Sequence, residues 1–89
     1  MKCVILKIEG RVQGVFFRAS TKKQADALGI NGFVKNEVDG GVYIEAEGDE
    51  KTLHQFIEWC RVGPLHAAVS HVKITATEPK QFSSFKIVR

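Results

Sequence analysis

Residues 10–18 read Gly-Arg-Val-Gln-Gly-Val-Phe-Phe-Arg and join a strand-like run to a helix-like run. Gly10 and Gly14 allow the backbone to turn its amides inward and to approach a ligand closely. Arg18 lies at the helix start, where unpaired N–H groups carry about half a positive charge. A cation there is unfavourable by roughly 0.3–1 kcal/mol unless an anion lies beside it. The segment therefore predicts an anion-binding loop in which Arg18 grips two phosphate oxygens.

A simpler interpretation is that the glycines only form a turn and that Arg18 only pairs with a surface acid. Isolated glycine spacings are weak signals, so the residue types of this loop support both interpretations equally. A second cluster favours the ligand. Residues 32–36 read Gly-Phe-Val-Lys-Asn, and further glycines follow at positions 40, 41 and 48.

The two segments together resemble the paired signature of the acylphosphatase family, G-x-V-Q-G-V-x-F-R followed by G-F-V-K-N-x-x-x-G-x-V-x-x-x-x-x-G. Every fixed position of both motifs matches. The resemblance extends along the chain to Gly63-Pro64 and to the closing Ser84-Phe85-x-Ile87. Two positions depart from common members of the family, which often have a small residue in place of Phe16 and a threonine in place of Glu37.

The resemblance implies a hydrolase that splits the carboxyl–phosphate bond of acyl phosphates by in-line attack of water. It assigns the two catalytic positions to Arg18 and Asn36. No metal ion or other cofactor is expected, because an acyl phosphate has a good leaving group and needs mainly positioning and charge neutralisation. The implied substrate is a small acyl phosphate, with inorganic phosphate as product and competitive inhibitor. The phosphate-binding residues implied are Gln13, Gly14, Val15, Phe16, Phe17 and Arg18.

Asn36 lies at the end of a predicted strand, where most asparagines bond their own backbone in a turn. Its amide has both a donor and an acceptor, so it also suits the orientation of a water molecule. The residue alone favours the turn role, whereas the resemblance favours the catalytic one. The sequence does not decide whether the Arg18 loop and Asn36 meet in the fold; the resemblance implies that they do.

Periodicity along the chain predicts an α+β fold of one domain, residues 1–89. Leu53, Phe56, Ile57 and Cys60 recur at helical spacing after the capping residue Asp49, whereas other segments alternate as strands do. The order βαββαβ, with an added final strand, favours a ferredoxin-like split βαβ sandwich in which an antiparallel sheet carries both helices on one face. The predicted strands are 2–9, 30–36, 42–47, 69–77 and 82–88, and the predicted helices are 18–28 and the stretch from Asp49 to Gly63.

Charge, hydropathy and cysteine content indicate which ligands the protein binds and in which compartment it is found. The net charge is +3, without a run of basic residues, which fits a small anion better than a nucleic acid. No apolar run approaches the roughly 18 residues of a membrane span, and charges interrupt the N-terminus, so we expect a cytoplasmic protein that binds neither membrane nor nucleic acid. We expect a monomer, although no feature of the sequence decides the oligomeric state. Cys3 and Cys60 are expected to be free thiols on opposite sides of the sheet, Cys60 in the core and Cys3 on the open face.

Three alternatives remain at this stage. The first is a catalytic or metal-binding role for histidine, which the sequence disfavours: His54 falls off the apolar stripe of the second helix and is expected on its solvated face. His66 and His71, with Cys60, lack the close pairs of structural zinc sites. An RNA-recognition module shares the βαββαβ order, but the first strand has no aromatic residue, and Tyr43 in the third is flanked by acids. A non-catalytic module that binds acyl or carbamoyl phosphate, like the domains at the start of hydrogenase maturation proteins, is the main alternative. The short free-standing length argues against it.

Overall fold

A computed structural model describes residues 1–89 as a five-stranded sheet with two helices on one face. The strand order is β4-β1-β3-β2-β5. The predicted elements are all present, and the α+β fold class is confirmed. The elements are β1 (Lys2–Arg11), α1 (Phe17–Leu28), β2 (Asn31–Asn36), β3 (Val42–Gly48), α2 (Glu50–Val62), β4 (Ala68–Thr77) and β5 (Phe85–Val88).

Local residues explain the start of α2 and the end of α1. The Asp49 carboxylate accepts the N–H of Thr52 at 3.0 Å and caps α2, as its sequence predicted. Gly29 ends α1 in the left-handed region, with φ 71°, which glycine adopts without a steric penalty. Neither helix is long and apolar enough to cross a membrane.

The core lies between the helices and one face of the sheet. Alternate residues of β1 and β3, such as Leu6 and Ile44, point to this face and are fully buried. Phe56 of α2 packs edge to face on Phe85 of β5, with ring centroids 6.0 Å apart. Every element contributes to this core or packs against it, so all the strands and both helices share one apolar layer.

The pairing of β5 differs from the predicted antiparallel sheet. β5 runs parallel to β2, so the sheet is mixed, although all its other pairs are antiparallel. β4 ends at one edge of the sheet, at the end where β1 begins, since Thr77 lies opposite Cys3. The connection 78–84 crosses to the far edge at this same end. β5 must therefore run opposite to β4, in the direction of β1 and β2.

The face away from the helices is covered where this connection crosses it. The buried carboxylate of Glu47 accepts the backbone N–H groups of Lys80, Gln81 and Phe82 at 2.6, 3.0 and 2.9 Å. Cys3 lies beside Glu47 on the predicted face, but it is buried, so the expectation of an open face is wrong at this position. Burial, followed by the nearby carboxylates of Glu47 and Glu45, raises the pKa of the Cys3 thiol.

Candidate active site

Strand topology brings the loop after β1 and the end of β2 to the same end of the sheet. β1 and β2 both pair antiparallel with β3, so they run in the same direction. Ile8 near the end of β1 and Asn36 at the end of β2 lie on either side of the same residue, Val42. The segment that carries Arg18 and the strand that carries Asn36 therefore end next to each other, one strand apart.

Arg18 and Asn36 line one cavity of about 380 Å³ at this end of the sheet. That volume suits a small molecule. The cavity contains two cations, Arg18 and Arg89, and no acidic residue, so its field favours an anion. Its other lining residues are Val12, Gly14, Phe16, Phe17, Ala19 and Ile87.

The start of α1 presents unpaired backbone donors to this cavity. No backbone hydrogen bond uses the N–H groups of Gly14, Val15 or Phe16. The first N–H groups of an α-helix have no partner within it, and α1 has neither a side-chain cap nor an acid in its first turn. Free amides at the positive end of a helix dipole are the donors that an anion-binding site uses.

The Arg18 side chain is half-buried and has no partner in the protein. It takes part in no ion pair and in no side-chain hydrogen bond. The simpler interpretation, a surface salt bridge, is therefore wrong. A cation at a helix N-terminus without a carboxylate beside it is the arrangement that a bound anion would stabilise.

The Asn36 amide is also free, because another residue supports the turn that follows. Asp39 Oδ1 accepts the N–H of Gly41 at 2.9 Å, and the Gly40 N–H bonds the carbonyl oxygen of Glu37 at 3.1 Å. No side-chain hydrogen bond involves Asn36. Asp39, and not Asn36, makes the side-chain hydrogen bond that supports this turn. The Asn36 side chain remains available at the cavity wall.

Two of the predicted phosphate-binding residues do not line the cavity. The Gln13 side chain points to the β2–β3 turn and donates to the carbonyl oxygens of Glu37 and Gly41 at 2.7 and 2.8 Å. Val15 is half-buried and packs against the core. Only the backbone amides of these two residues are left to contact a ligand, while Gly14, Phe16, Phe17 and Arg18 line the cavity itself.

Ile87 and Arg89 line the cavity without having been predicted to do so. They reach it because β5 lies beside β2: Val34 is opposite Ile87 and Lys35 is opposite Val88, which brings Arg89 level with Asn36. A long-range strand pairing leaves no signal in the local sequence. The closing Ser84-Phe85-x-Ile87 indicated a strand, but it did not indicate that this strand pairs with β2.

A second cavity, of about 370 Å³, lies between α2 and the β1–β4 edge. Its Lys2 and Glu50 pair with each other at 3.5 Å, so they present no unbalanced charge to a ligand. His54 also lines it, on the exposed side of α2 where the helical spacing predicted it. The convergence of unpaired donors is found at the Arg18 cavity and not here.

A sequence model of the acylphosphatase family matches residues 4–87. The chain belongs to the acylphosphatase family. It is 44% identical over 88 residues to an acylphosphatase of Lactiplantibacillus plantarum, with 98% of each chain covered. An acylphosphatase of Thermotoga maritima is 42% identical, over 98% of this chain and 97% of its own. The predicted family is confirmed, and with it hydrolase activity as an acylphosphatase.

Solved structures of an acylphosphatase and of a larger protein have the same fold as this chain. The crystal structure of acylphosphatase from Bacillus subtilis superposes with a TM-score of 0.97 at 36% identity, over 100% of both chains. A structure of full-length HypF, in a phosphate- and nucleotide-bound form, matches 99% of this chain with 12% of its own, at a TM-score of 0.88 and 31% identity. The same architecture is thus found both as a chain of this length and as a small part of a larger protein.

Proposed function

We propose that this acylphosphatase hydrolyses its substrates in the cavity between the start of α1 and the end of β2, with Arg18 and Asn36 as catalytic residues. One observation carries the proposal. A single cavity combines the unpaired amides of a helix start, an arginine with no protein partner and a free asparagine amide. The family's activity needs a phosphate-binding group and a group that orients water, and these residue types supply both.

The phosphoryl group binds to the loop from Gln13 to Arg18. Backbone N–H groups and the Arg18 guanidinium donate to its oxygens, in the planar fork that suits two oxygens at once. The phosphoryl oxygens carry the negative charge of the transition state and stay close to the same donors while the bond to the leaving group loosens. These fixed donors therefore stabilise the transition state without reorganisation.

The Asn36 amide holds a water molecule in line with the bond that breaks. The water oxygen forms a bond to phosphorus while the bond from phosphorus to the carboxyl oxygen breaks, and the carboxylate leaves with the electron pair. The proton of the water passes to a phosphoryl oxygen, which gives inorganic phosphate. No protein base and no metal ion is needed, since the leaving group is a weak base.

The test is hydrolysis of acetyl phosphate by the purified protein, with and without a strong chelator. We expect release of acetate and phosphate at the same rate in both conditions, with competitive inhibition by inorganic phosphate. Loss of activity in chelator with recovery on adding magnesium or zinc would overturn the metal-free reaction. Phosphate binding without any turnover would identify the non-catalytic binding module instead.

We further propose that residues 1–89 act as one domain and as a cytoplasmic monomer that binds no nucleic acid. The shared core supports one domain. Cys3 and Cys60 are both buried and unpaired, which suits a reducing compartment. Light scattering of the purified chain tests the monomer: a molar mass of about twice the 9.9 kDa of one chain would overturn it.

A further inference from the structure

Phe16 combines two unfavourable features at the mouth of the Arg18 cavity. Its side chain is 80% exposed, although it is aromatic and lines the cavity. Its backbone lies in the left-handed region, with φ 62°, which residues other than glycine rarely adopt. Backbone strain of this kind concentrates at ligand sites. An exposed aromatic ring at such a site is a surface that a bound ligand can cover.

Ile87 adds a second exposed apolar side chain to the wall of the same cavity. It lies on the helix side of β5, two residues after the buried Phe85, and remains 39% exposed. Arg18 and Asn36 line the same cavity. A ligand with a charged head at Arg18 therefore has two exposed apolar side chains within the same cavity for the rest of its structure.

We propose that Phe16 and Ile87 bind the acyl group and give the enzyme a preference for acyl phosphates with a bulky apolar or aromatic acyl group. The proposal rests on the proposed function, because it assumes that the phosphoryl group binds at Arg18. An aromatic acyl group stacks on the Phe16 ring and covers the Ile87 side chain, so both leave water on binding. A methyl group as small as that of acetyl phosphate covers little of either.

Ile87 offers a matched pair of variants. Ile87 and Val88 are neighbours on β5 and are equally exposed, at 39% each. Their side chains point to opposite faces of the sheet, and Val88 lines a shallow depression beside Phe33 and Phe82 instead of the Arg18 cavity. Ile87→Thr and Val88→Thr both keep a β-branched residue in the strand, and only the first changes the cavity wall.

The experiment compares kcat/KM for benzoyl phosphate and acetyl phosphate in the wild type and in these variants. The ratio of the two values removes general losses of activity in a variant, and comparison of that ratio with the wild-type ratio removes the different intrinsic reactivity of the substrates. We expect Ile87→Thr to lower the ratio about threefold to tenfold, as for the loss of part of an apolar pocket. Phe16→Gly, which suits the positive φ at this position, lowers it by a similar factor. Val88→Thr leaves it unchanged.

An unchanged ratio in both Ile87→Thr and Phe16→Gly would overturn the proposal while the proposed function stands. A preference for an acyl phosphate with a second carboxylate, lost in Arg89→Gln, would overturn it as well, because the acyl site would then be cationic. Failure of the wild type to hydrolyse either substrate would instead reject the proposed function.

Discussion

Gln13 donates a hydrogen bond from Nε2 to the carbonyl oxygen of Glu37, at 2.7 Å. The same nitrogen donates to the carbonyl oxygen of Gly41 at 2.8 Å. Gln13 lies at the start of the loop that carries Arg18, and Glu37 directly follows Asn36. The amide thus fixes the loop after β1 to the turn after β2, and with it the separation of the two proposed catalytic groups. We infer that Gln13 positions the loop, since its side-chain nitrogen is engaged by the two carbonyl oxygens.

Gln13→Ala removes both hydrogen bonds and lets the loop move relative to the turn. We expect kcat to fall about tenfold, since small misplacements of reacting groups reduce rates strongly, and the free energy of unfolding to fall by about 1 kcal/mol. Gln55→Ala, at an exposed position of α2, is the control and should change neither. A Gln13→Ala enzyme with unchanged kcat and a raised inhibition constant for phosphate would show that the side chain holds phosphate directly.

Asn36→Ala removes the amide that is proposed to hold the water. Turnover should fall by on the order of 10² or more, while the dissociation constant of inorganic phosphate stays nearly the same. Stability should change little, because the Asn36 side chain has no hydrogen-bond partner in the protein. Kinetics and phosphate titration of the one variant separate the two effects. Equal loss of phosphate affinity and of rate would argue against a role in orienting water.

The single tyrosine of the chain reports on the covered face of the sheet. Burial, followed by the hydrogen bond that its hydroxyl donates to Glu45 Oε2 at 2.7 Å, raises the pKa of Tyr43 to about 12. The stability that this phenol contributes is therefore fully present below its ordinary pKa of 10 and is lost as the pH rises through about 12. Ultraviolet titration should give a midpoint near 12 in the wild type, and a lower one in Glu45→Gln that stays above 10 because burial persists. A wild-type midpoint at 10 would mean that this face is open to solvent.

Glu47→Gln tests the carboxylate that holds the β4–β5 connection. Glu47 accepts three backbone N–H groups with its two oxygens, and an amide can accept with only one. We expect a loss of about 3 kcal/mol in the free energy of unfolding, measured by urea denaturation. Glu78→Gln, an exposed acid in the same connection, should cost almost nothing. Equal denaturation midpoints for the two variants would exclude this role for Glu47.

Local patterns predicted the elements well because their signals lie within a few residues. Asp49 caps α2, and Gly29 ends α1, as the residues themselves indicate. The start of β5 was predicted too early, at residue 82, because residues 82–84 belong to the crossing connection. The parallel pairing of β5 and the burial of Cys3 both follow from that crossing, which no local periodicity encodes.

In the candidate site, too, local features were predicted from the sequence and features that depend on distant residues were not. The loop with Arg18 and the strand end with Asn36 were visible because each is carried by a contiguous motif. The free state of the Asn36 amide was not predictable, since it depends on Asp39 supporting the turn. Ile87 enters the cavity only through a strand pairing that is distant in sequence.

Arg18 is the residue whose position at a helix N-terminus makes sense only with a bound anion. Arg18→Ala removes a cation that opposes the helix dipole and has no partner, so the ligand-free protein should keep its stability within about 1 kcal/mol. Arg18→Lys should restore little activity, because an ammonium group does not hold two oxygens in a planar fork. Lys23→Ala, at an exposed position of the same helix, is the control for loss of a positive charge.

The phosphate dependence of Tm in these variants tests the anion site most directly. Wild type and Lys23→Ala should gain stability as phosphate rises, by about 2.7 kcal/mol when its concentration is 100 times the dissociation constant. Arg18→Ala and Arg18→Lys should gain far less at the same concentrations. A phosphate-induced rise in Tm that is as large in Arg18→Ala as in the wild type would contradict the site, as would a large loss of stability in that variant without phosphate.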